Sequence, residues 1–480
     1  MNKILERGEV HPAGEGSFTF ETAGGRVRLS MTDDALTPFG GIVPWAAFTR
    51  HTGIVEALAQ DCPVKRTSPN AAPVYDILQS FMLTALTDGR RFSHIERLRE
   101  DPTIPELFGM EEVVGDDTVR RFFKSVNPTI GAEWVARHLK PMWRALPDQI
   151  ILDWDSTVQT KYGHQEGAQV GYNPTKPGRR SFHPLLAVVA RTRLCPSYHF
   201  RSGDTVTSTG WKESMEDARR WLGERSVWLN RGDIGLGQDA VMKWHEQAPD
   251  RPKFLFKLKL TKKVRAALHQ VPEANWQGPS NEGAWQVAEG RLQLTGWQQP
   301  RRVVFSRRLQ GEVPAERSGE FWSRNKHEFA VYVTSLPECY NAWQIQQLYR
   351  ERADAENVFD ELKNQWGFNG FSAKARATTE LAARLLLVVY NLWTLFVRFI
   401  VPHQHTEAKR GRRWFLVIAG RLVQSGRQKE VQISVSGGWA EQLRDGFIRL
   451  HEWIRSTAPQ LKTVLPVPHT SAPPFAPSPC

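Results

Sequence analysis

The sequence has little cysteine and no long uninterrupted apolar run, and both shortages exclude classes of protein. Its four cysteines stand at positions 62, 195, 339 and 480 of a chain of 480 residues. No pair has the spacing of a zinc finger, and nothing in the pattern predicts a disulfide framework. The N-terminal residues MNKILERGEV are not followed by the apolar core of a signal peptide. We therefore expect a cytoplasmic protein with reduced cysteines.

The best candidate for a membrane span runs from Leu381 to Val401, and charged residues interrupt it. Arg384 and Arg398 leave only the stretch from Leu385 to Val397 uncharged. A bilayer requires roughly 20 consecutive apolar residues. The segment therefore predicts a buried core helix.

The overall charge is strongly basic. The chain has 63 lysines and arginines against 51 acidic residues, a net charge of +12, and a sequence pI of about 9.6. This surplus predicts a polyanionic partner, either nucleic acid or an anionic membrane surface. Hydrophobic residues make up 40% and charged residues 24%, which is typical of a globular protein. The length is sufficient for two or three domains.

The N-terminal third predicts a hairpin followed by helices. Residues 16 to 32 alternate polar and apolar side chains around Gly24 and Gly25, as a hairpin does. From about residue 40 to 146 the pattern is helical, and Asp116 and Asp117 can cap a short basic helix, TVRRFFKSV. Small basic helices suit DNA binding; an ordinary helical packing domain is the alternative. Residues 1–146 are assigned to a mostly helical DNA-binding region.

The periodicity changes at residue 147 and predicts a mixed α/β sheet. The order of elements in residues 147–260 is β-β-β-α-β-α-β, which differs from a continuous parallel winding. We assign these residues to the first part of a catalytic core. The predicted strands are 149–154, 182–190, 194–201, 226–229 and 253–260, and the helices 211–224 and 238–247.

Three further segments complete the predicted domain organisation. Residues 261–335 contain short alternating runs and scattered tryptophans and glycines, which predicts an inserted, β-rich, basic domain. Residues 336–455 should contribute a core helix and C-terminal helices. Residues 456–480 are rich in proline and are predicted to be disordered.

The segment YRERADAENVFDELK groups chemically useful side chains on one predicted helix. At about 100° per residue, Tyr349, Arg352, Glu356 and Lys363 share a stripe roughly 60° wide. A carboxylate beside a phenol, a guanidinium and an ammonium suits a phosphodiester site. Ordinary ion pairing on an amphipathic helix is the alternative. The neighbouring arc should pack on the sheet through Ala355, Val358, Phe359, Leu362 and Trp366.

Aspartates at two predicted strand ends could complete a metal site. Asp153 and Asp155 lie in LDWDST, and their side chains face the same side of the strand because side chains alternate with a period of two. Asp233 lies in NRGDIG, just past the end of another predicted strand. Carboxylates are the hard oxygen ligands that magnesium prefers. Either Asp153 or Asp155 could supply the first ligand, and strand-end aspartates are also common as turn formers.

Two motifs resemble a family of enzymes. The pattern Y-x2-R-x3-E-x6-K, met by Tyr349, Arg352, Glu356 and Lys363, resembles the signature of DDE transposases in the insertion-sequence-4 group. The stretch DWDSTVQTKYGHQEGAQVGYNPTKPG, residues 153 to 178, resembles the first-aspartate region of the insertion-sequence-1380 family. The similarity spans roughly residues 70 to 450. It implies a ribonuclease-H-like fold with an inserted β domain.

The resemblance also implies the chemistry of the site. Asp155, Asp233 and Glu356 would bind two Mg2+ ions, with Mn2+ as a substitute, and Tyr349 together with Arg352 and Lys363 would hold phosphates at the transposon end. The DST-like motif of the family favours Asp155 over Asp153. Leu236 follows Gly235 where the family usually has an aromatic residue. A tryptophan could stack a flipped base, and the candidates are Trp322 and Trp343.

The expected function is cut-and-paste transposition of a bacterial insertion sequence. By analogy with the family, water would nick the transposon end, and the released 3′-hydroxyl would attack the opposite strand to form a hairpin that is reopened before joining. The partners would be terminal inverted repeats and target DNA, bound by a homodimer in the cytoplasm close to the nucleoid. The alternatives are a stand-alone nuclease of the same fold and a domesticated or inactive DNA-binding protein.

Overall fold

The computed structural model describes residues 17–247, 249–313, 324–402, 404–425, 428–435 and 437–456. The Pro-rich tail from residue 457 onward and Trp322 lie outside these ranges, so the predictions made for them are not addressed by the structure. The described chain is a mixed α/β fold, as the sequence predicts. Its strands are β1 Ser17–Thr22, β2 Gly25–Ser30, β3 Leu36–Thr37, β4 Gln149–Ser156, β5 Gln159–Thr160, β6 Gln169–Val170, β7 Arg180–Phe182, β8 Leu185–Val189, β9 Ser197–His199, β10 Ser226–Gly232, β11 Lys253–Lys257, β12 Trp285–Leu292, β13 Arg301–Val313, β14 Arg324–Thr334, β15 Gly420–Ser425 and β16 Gln428–Ile433.

Helices surround the sheets and occupy most of the remaining chain. Short 3-10 turns occur at Phe92–Ile95, Ile234–Leu236 and Glu273–Asn275, and a π-helical turn at Arg412–Leu416. The α-helices are α1 Ile42–Thr52, α2 Ile54–Gln60, α3 Val74–Leu86, α4 Glu96–Arg99, α5 Thr103–Phe108, α6 Asp116–Ser125, α7 Pro128–Trp143, α8 Trp211–Leu222, α9 Asp239–Glu246, α10 Lys262–His269, α11 Ala342–Arg350, α12 Ala353–Gln365, α13 Arg376–Ile400, α14 Ala408–Gly411 and α15 Ala440–Ser456.

One eight-stranded mixed sheet organises the centre of the fold. Its order is β12-β13-β14-β11-β10-β4-β8-β9. Strand β10 is parallel to both β4 and β11, and the other neighbours are antiparallel. The predicted order of strands and helices from β4 to β11 is therefore confirmed. The strands predicted between residues 261 and 335 are also present, and they extend this same sheet beyond β11.

Helix α13 is a buried, apolar helix in the core of the helical part of the fold. It is long and apolar enough by composition to cross a membrane, and 89% of its apolar window is buried inside the fold. The rings of Trp45, Trp366 and Phe415 pack against Trp393 near the middle of this helix. The prediction of a buried core helix is confirmed.

The predicted N-terminal hairpin is present as β1 and β2, whose register pairs Thr22 with Gly25. Gly25 has a φ of +105°, which a residue with a side chain rarely adopts. The caps of α6 differ from the prediction. Gly115 is the N-cap residue, and Asp116 and Asp117 lie in the first turn, where both pair with Arg120.

Two features of the C-terminal half correct the sequence prediction. The segment from Tyr349 to Lys363 is not one helix, because α11 ends at Arg350 and α12 begins at Ala353. The region predicted as helices, with breaks, into the 440s also contains strands β15 and β16, which pair with each other and, through β15, with β3. A partner strand almost four hundred residues away thus determines this local structure.

The cysteines differ in state. Cys62 and Cys195 are free thiols, whereas Cys339 is disulfide-bonded, contrary to the expectation of reduced cysteines. Burial raises the pKa of both free thiols, so neither is an activated nucleophile.

Candidate active site

Two parallel strands place Asp155 and Asp233 side by side. The register pairs Trp154 of β4 with Gly232 of β10, so the next residue on each strand, Asp155 and Asp233, emerges at the same edge of the sheet. Asp233 then begins a 3-10 turn, and its Oδ1 accepts a hydrogen bond from the N–H of Gly235 at 2.9 Å. The turn fixes the aspartate at the strand end, as the NRGDIG sequence predicts.

Asp153 is enclosed in the sheet and forms a closed ion pair. Its two carboxylate oxygens accept from Nε and Nη2 of Arg231, at 2.6 and 2.7 Å. The side chain of Arg231 is 0% exposed and that of Asp153 is 1% exposed, and Nη1 of Arg231 also donates to the carbonyl of Leu348. Because this bidentate pair is fully buried, Asp153 has no oxygen directed to solvent for a metal ion. The Asp155 side chain, in contrast, is 22% exposed.

Arg352 joins Asp155 to Glu356 in the interval between α11 and α12. Its Nη2 lies 2.8 Å from Oδ2 of Asp155, and its Nη1 donates to Oε1 of Glu356 at 3.2 Å. Nη2 also donates to the carbonyl of Trp154 at 3.2 Å. The Glu356 side chain remains 66% exposed while that of Arg352 is only 4% exposed. One buried guanidinium therefore connects a strand carboxylate and a helix carboxylate.

The turn after β8 holds the interval between α11 and α12. Arg191 donates to both carboxylate oxygens of Glu351 at 3.3 Å, and Arg193 pairs with Asp354. Both arginines have left-handed backbones, with φ of 65° and 62°, which is uncommon for residues other than glycine. The turn thus fixes the point where the helix breaks and with it the position of Arg352.

The negative charges at this edge influence one another. The pKa of Asp233 is raised, chiefly by burial and then by the charge of Asp155, with Glu356 adding in the same direction and Arg352 opposing. For Arg352, burial works against the charged form, but the neighbouring carboxylates raise the pKa well above its usual value. The three carboxylates of Asp155, Asp233 and Glu356 are thus near enough to interact, and one arginine compensates them only in part.

Lys363 and Tyr349 flank the same edge. Burial lowers the pKa of Lys363, and the charge of Asp155 acts in the opposite direction. Burial raises the pKa of Tyr349, whose ring packs against that of Tyr332 with centroids 4.4 Å apart, so its phenol is a neutral hydrogen-bond donor. The structure brings all six sequence-predicted site residues to one edge of the sheet.

Two residues at this edge were not predicted. Arg231 neutralises Asp153, and its signal was present in the sequence, since it precedes Asp233 by two positions and shares its face of the strand. His183 is buried between β7 and β8, and its Nδ1 donates to the carbonyl of Thr205 at 2.9 Å. Burial lowers the pKa of His183, so the imidazole is neutral.

The donor set fits a divalent cation by its chemistry. Asp155, Asp233 and Glu356 offer only carboxylate oxygens, which hard cations prefer. Across the described ranges, no three acidic, histidine or cysteine side chains are close enough together to hold an ion as they stand. The guanidinium of Arg352 supplies the positive charge between Asp155 and Glu356. A cation held by these carboxylates would supply the same compensation, and the 66% exposure of the Glu356 side chain leaves it open to approach.

The aromatic candidates for base stacking receive limited support. Trp343 lies in the first turn of α11 and is 40% exposed, while most other described tryptophans are buried or half-buried. No contact in the structure distinguishes Trp343 as a binding residue.

Comparison with known proteins identifies relatives. A family model described as transposase DDE domain group 1 matches residues 21–454. No curated protein matches the chain significantly. The cryo-EM structure of the piggyBac transposase synaptic complex with hairpin DNA is similar at a TM-score of 0.41 and 12% identity, covering 91% of this chain and 88% of that one. The Drosophila P element transposase strand transfer complex gives 0.25 and 11%, covering 46% and 48%.

Proposed function

Because this chain belongs to the family of transposases with a DDE domain of group 1, we propose that it cuts and rejoins DNA in a metal-dependent reaction. Asp155, Asp233 and Glu356 bind the cations, and Mg2+ is the expected ion, with Mn2+ as a substitute. The mobile element is an insertion sequence, of the insertion-sequence-4 group and closest to the insertion-sequence-1380 family. The reaction is cut-and-paste transposition.

One observation carries the proposal. Three carboxylates from β4, from the end of β10 and from α12 converge on one edge of the sheet, where Arg352 contacts two of them and the pKa of the third responds to both others. The pair of Asp153 and Arg231 is closed to solvent, whereas the group around Arg352 is open at Glu356, where a cation can approach.

The surrounding residues suit phosphodiester chemistry. Two bound divalent cations would supply the Lewis acidity that activates a water or a 3′-hydroxyl and stabilises the leaving oxygen. Lys363 and the neutral phenol of Tyr349 donate to phosphate oxygens of the transposon end. With Asp155 and Glu356 holding cations, the guanidinium of Arg352 would be able to donate to the same phosphates.

The order of five strands supports a ribonuclease-H-like core. Strands β9, β8 and β4 are antiparallel neighbours, and β10 and β11 follow on the other side of β4 in parallel. We assign residues 147–260 and the segment from 336 to 455 to this core, with 261–335 as an insertion. Residues 1–146 recognise the terminal inverted repeats, mainly through phosphate contacts. The enzyme acts as a homodimer on paired DNA ends in the bacterial cytoplasm, close to the nucleoid.

The experiment that tests this proposal is a cleavage assay on a plasmid carrying the DNA that brackets the gene. We expect the purified protein with Mg2+ to release the element with hairpin ends and to join it to target DNA. Glu356→Gln should abolish all products. Glu441→Gln is the matched control, because Glu441 is an exposed glutamate in the first turn of α15, as Glu356 is in α12, and it should leave cleavage unchanged.

The products separate the alternatives. Linear fragments without hairpins or insertions would identify a stand-alone nuclease. Specific binding without any cleavage, in the presence of either metal, would identify an inactive or domesticated DNA-binding protein. Unchanged cleavage by the Glu356→Gln variant would remove Glu356 from the site.

A further inference from the structure

Two unusually exposed tyrosines lie beside the small sheet formed by β5, β7 and β6, just past the ends of β5 and β6. Tyr162 and Tyr172 are each 73% exposed. The other six tyrosines of the chain are buried or half-buried, which makes this pair exceptional: Tyr75, Tyr198, Tyr332, Tyr340, Tyr349 and Tyr390. An aromatic ring held in water has no packing role in the fold, so its position suggests a partner.

The same sheet carries positive charge without compensation. Lys176, Arg179 and Arg180 are exposed, and no carboxylate within the described part of the chain forms an ion pair with them. The guanidinium carbon of Arg179 lies 5.6 Å from the ring centroid of Tyr162. Two exposed carboxylates lie near this sheet: Glu166, which accepts a hydrogen bond from the N–H of Arg376 at the start of α13, and Asp204 beside Gly171, which accepts from the hydroxyl of Ser202. The three cations outnumber them, so the exposed surface is aromatic with a net positive charge.

The tyrosines flank the same end of the sheet. The register pairs Thr160 of β5 with Ser181 of β7, and Val170 of β6 with Arg180 of β7. Tyr162 and Tyr172 each lie two residues beyond those strands, on either side of the beginning of β7. We call Tyr162, Tyr172, Lys176 and Arg179 the tyrosine–cation surface.

Hydrogen bonds attach the sheet that carries this surface to the segment that follows α12. Nζ of Lys161 donates to the carbonyl of Asn369 at 3.0 Å, and Nε2 of Gln159 donates to the carbonyl of Phe368 at 3.1 Å. Asn173 closes the loop by donating to Oγ1 of Thr160 at 2.9 Å. These bonds anchor the sheet to the chain that follows α12, so its outer end is presented in a defined place.

The tyrosine–cation surface lies within reach of DNA held at the candidate active site. Strand β5 continues the chain from β4, and Tyr162 follows Asp155 by seven positions. Seven residues span at most about 25 Å. A DNA strand engaged at the carboxylates would reach this surface within several nucleotides.

We propose that the tyrosine–cation surface binds an unpaired DNA strand that leads away from the cut. Exposed rings interleaved with free cations are the arrangement by which proteins hold single strands: the bases stack on the rings and the cations hold the phosphates. In duplex DNA the base faces are already stacked and unavailable to the rings. The inference rests on the proposed function only in taking DNA as the polymer, and its test requires no cleavage.

The test measures binding of the full-length protein to a fluorescent oligothymidylate of about 20 nucleotides by anisotropy. Tyr162→Ala with Tyr172→Ala should weaken binding at least about tenfold, since each stacked base is worth about 1–3 kcal/mol. The corresponding Phe variants keep the rings and should bind within about threefold of the natural protein. Lys176→Ala with Arg179→Ala should reduce the slope of log affinity against log salt by about 1.4, at roughly 0.7 per phosphate contact.

Matched controls separate the surface from general effects. Lys212 and Lys262 are exposed lysines without ion pairs in the described structure, and both lie outside the N-terminal region proposed to recognise the terminal inverted repeats. Their alanine pair should bind oligothymidylate as the natural protein does. A paired duplex of the same length should lose less than about threefold affinity in the tyrosine variant.

The outcomes are distinct from those of the proposed function. Asp155→Asn should abolish cleavage and retain oligothymidylate binding, which separates the two inferences. Natural binding by the Tyr→Ala pair would overturn this proposal, and so would an equal loss for duplex and single strand. Loss of binding in the Phe pair as large as in the Ala pair would also overturn it, because stacking needs only the ring.

Discussion

The carboxylates of Asp153 and Asp155 project from the same strand, two positions apart, into environments that differ in access to solvent. The Asp153 side chain is 1% exposed, and both of its oxygens are bound to Arg231. The Asp155 side chain is 22% exposed, and Arg352, its partner, is shared with the exposed Glu356. In the inner pair, Asp153 and Arg231, both carboxylate oxygens are bound to the arginine, whereas the outer group of Asp155, Arg352 and Glu356 shares one arginine between two carboxylates. An open, shared ion pair is the one that a metal ion or a phosphate can enter.

Arg231 and Arg352, the partners of these two aspartates, differ in which elements of the fold hold them in place. Arg231 is 0% exposed, and the register of β4 and β10 pairs it directly with Asp153, while its Nη1 also reaches the carbonyl of Leu348 in α11. Arg352 lies in the interval between two helices and depends on the turn that carries Arg191 and Arg193. The inner pair is therefore a part of the sheet, whereas the outer group is assembled from three separate elements.

The largest expected effect separates the two aspartates by activity. Asp155→Asn should lower DNA cleavage by at least about a thousandfold, because a lost metal ligand removes several kcal/mol of transition-state stabilisation. The melting temperature should also fall, because buried Arg352 loses one of its two carboxylate partners, but by less than in Asp153→Ala, since Glu356 still pairs with Arg352. Cleavage by the Asp155→Asn variant within tenfold of the natural protein would show that Asp155 is no ligand.

The second prediction separates the aspartates by stability. Asp153→Ala should reduce the free energy of unfolding by about 3–5 kcal/mol, because it leaves the Arg231 charge buried without a partner. Urea denaturation followed by tryptophan fluorescence measures this loss. The double variant Asp153→Leu with Arg231→Met should recover most of it, since a pair of apolar side chains leaves no buried charge. A stability loss below about 1 kcal/mol in Asp153→Ala would remove the distinction between the inner and outer pairs.

The smallest expected effect concerns the pH dependence of Asp233. Its folded-state pKa is raised, mainly by burial and by the charge of Asp155. A raised carboxyl pKa favours the folded state below the unfolded pKa of about 3.9, and that contribution is lost as the pH rises through the folded value. Without divalent cations, Asp233→Asn should therefore raise the melting temperature at pH 7 by roughly 2 °C, and the gain should disappear below about pH 4.

Added Mg2+ provides a second test of the role of the Asp233 carboxylate. It should stabilise the natural protein at pH 7 by binding the folded state, and it should not stabilise the Asp233→Asn variant to the same extent. A lower melting temperature for Asp233→Asn than for the natural protein, at pH 7 in a chelating buffer, would contradict the raised pKa assigned to Asp233.

Much of the fold was predictable where local pattern and final environment agree. The alternation of strands and helices from β4 to β11 and the apolar helix α13 have patterns that their places in the fold satisfy. The β1–β2 hairpin was predictable from its Gly24–Gly25 turn, although most residues of its two strands are exposed. The break between α11 and α12 had no signal in helical periodicity, because it depends on Arg191 and Arg193 from a distant turn. Strands β15 and β16 were missed since β15 pairs with β3, a partner far away in the chain.

The sequence by itself determined that acidic groups would stand at two strand ends and one helix, with an arginine, a lysine and a tyrosine beside them. Strand period also put Asp153 and Asp155 on one side of β4. Only the tertiary structure separates their environments, because these depend on which arginine each carboxylate meets: one on the neighbouring strand and one between two helices of the C-terminal half. Burial and the supply of counter-charge are properties of the assembled edge, and no local pattern contains them.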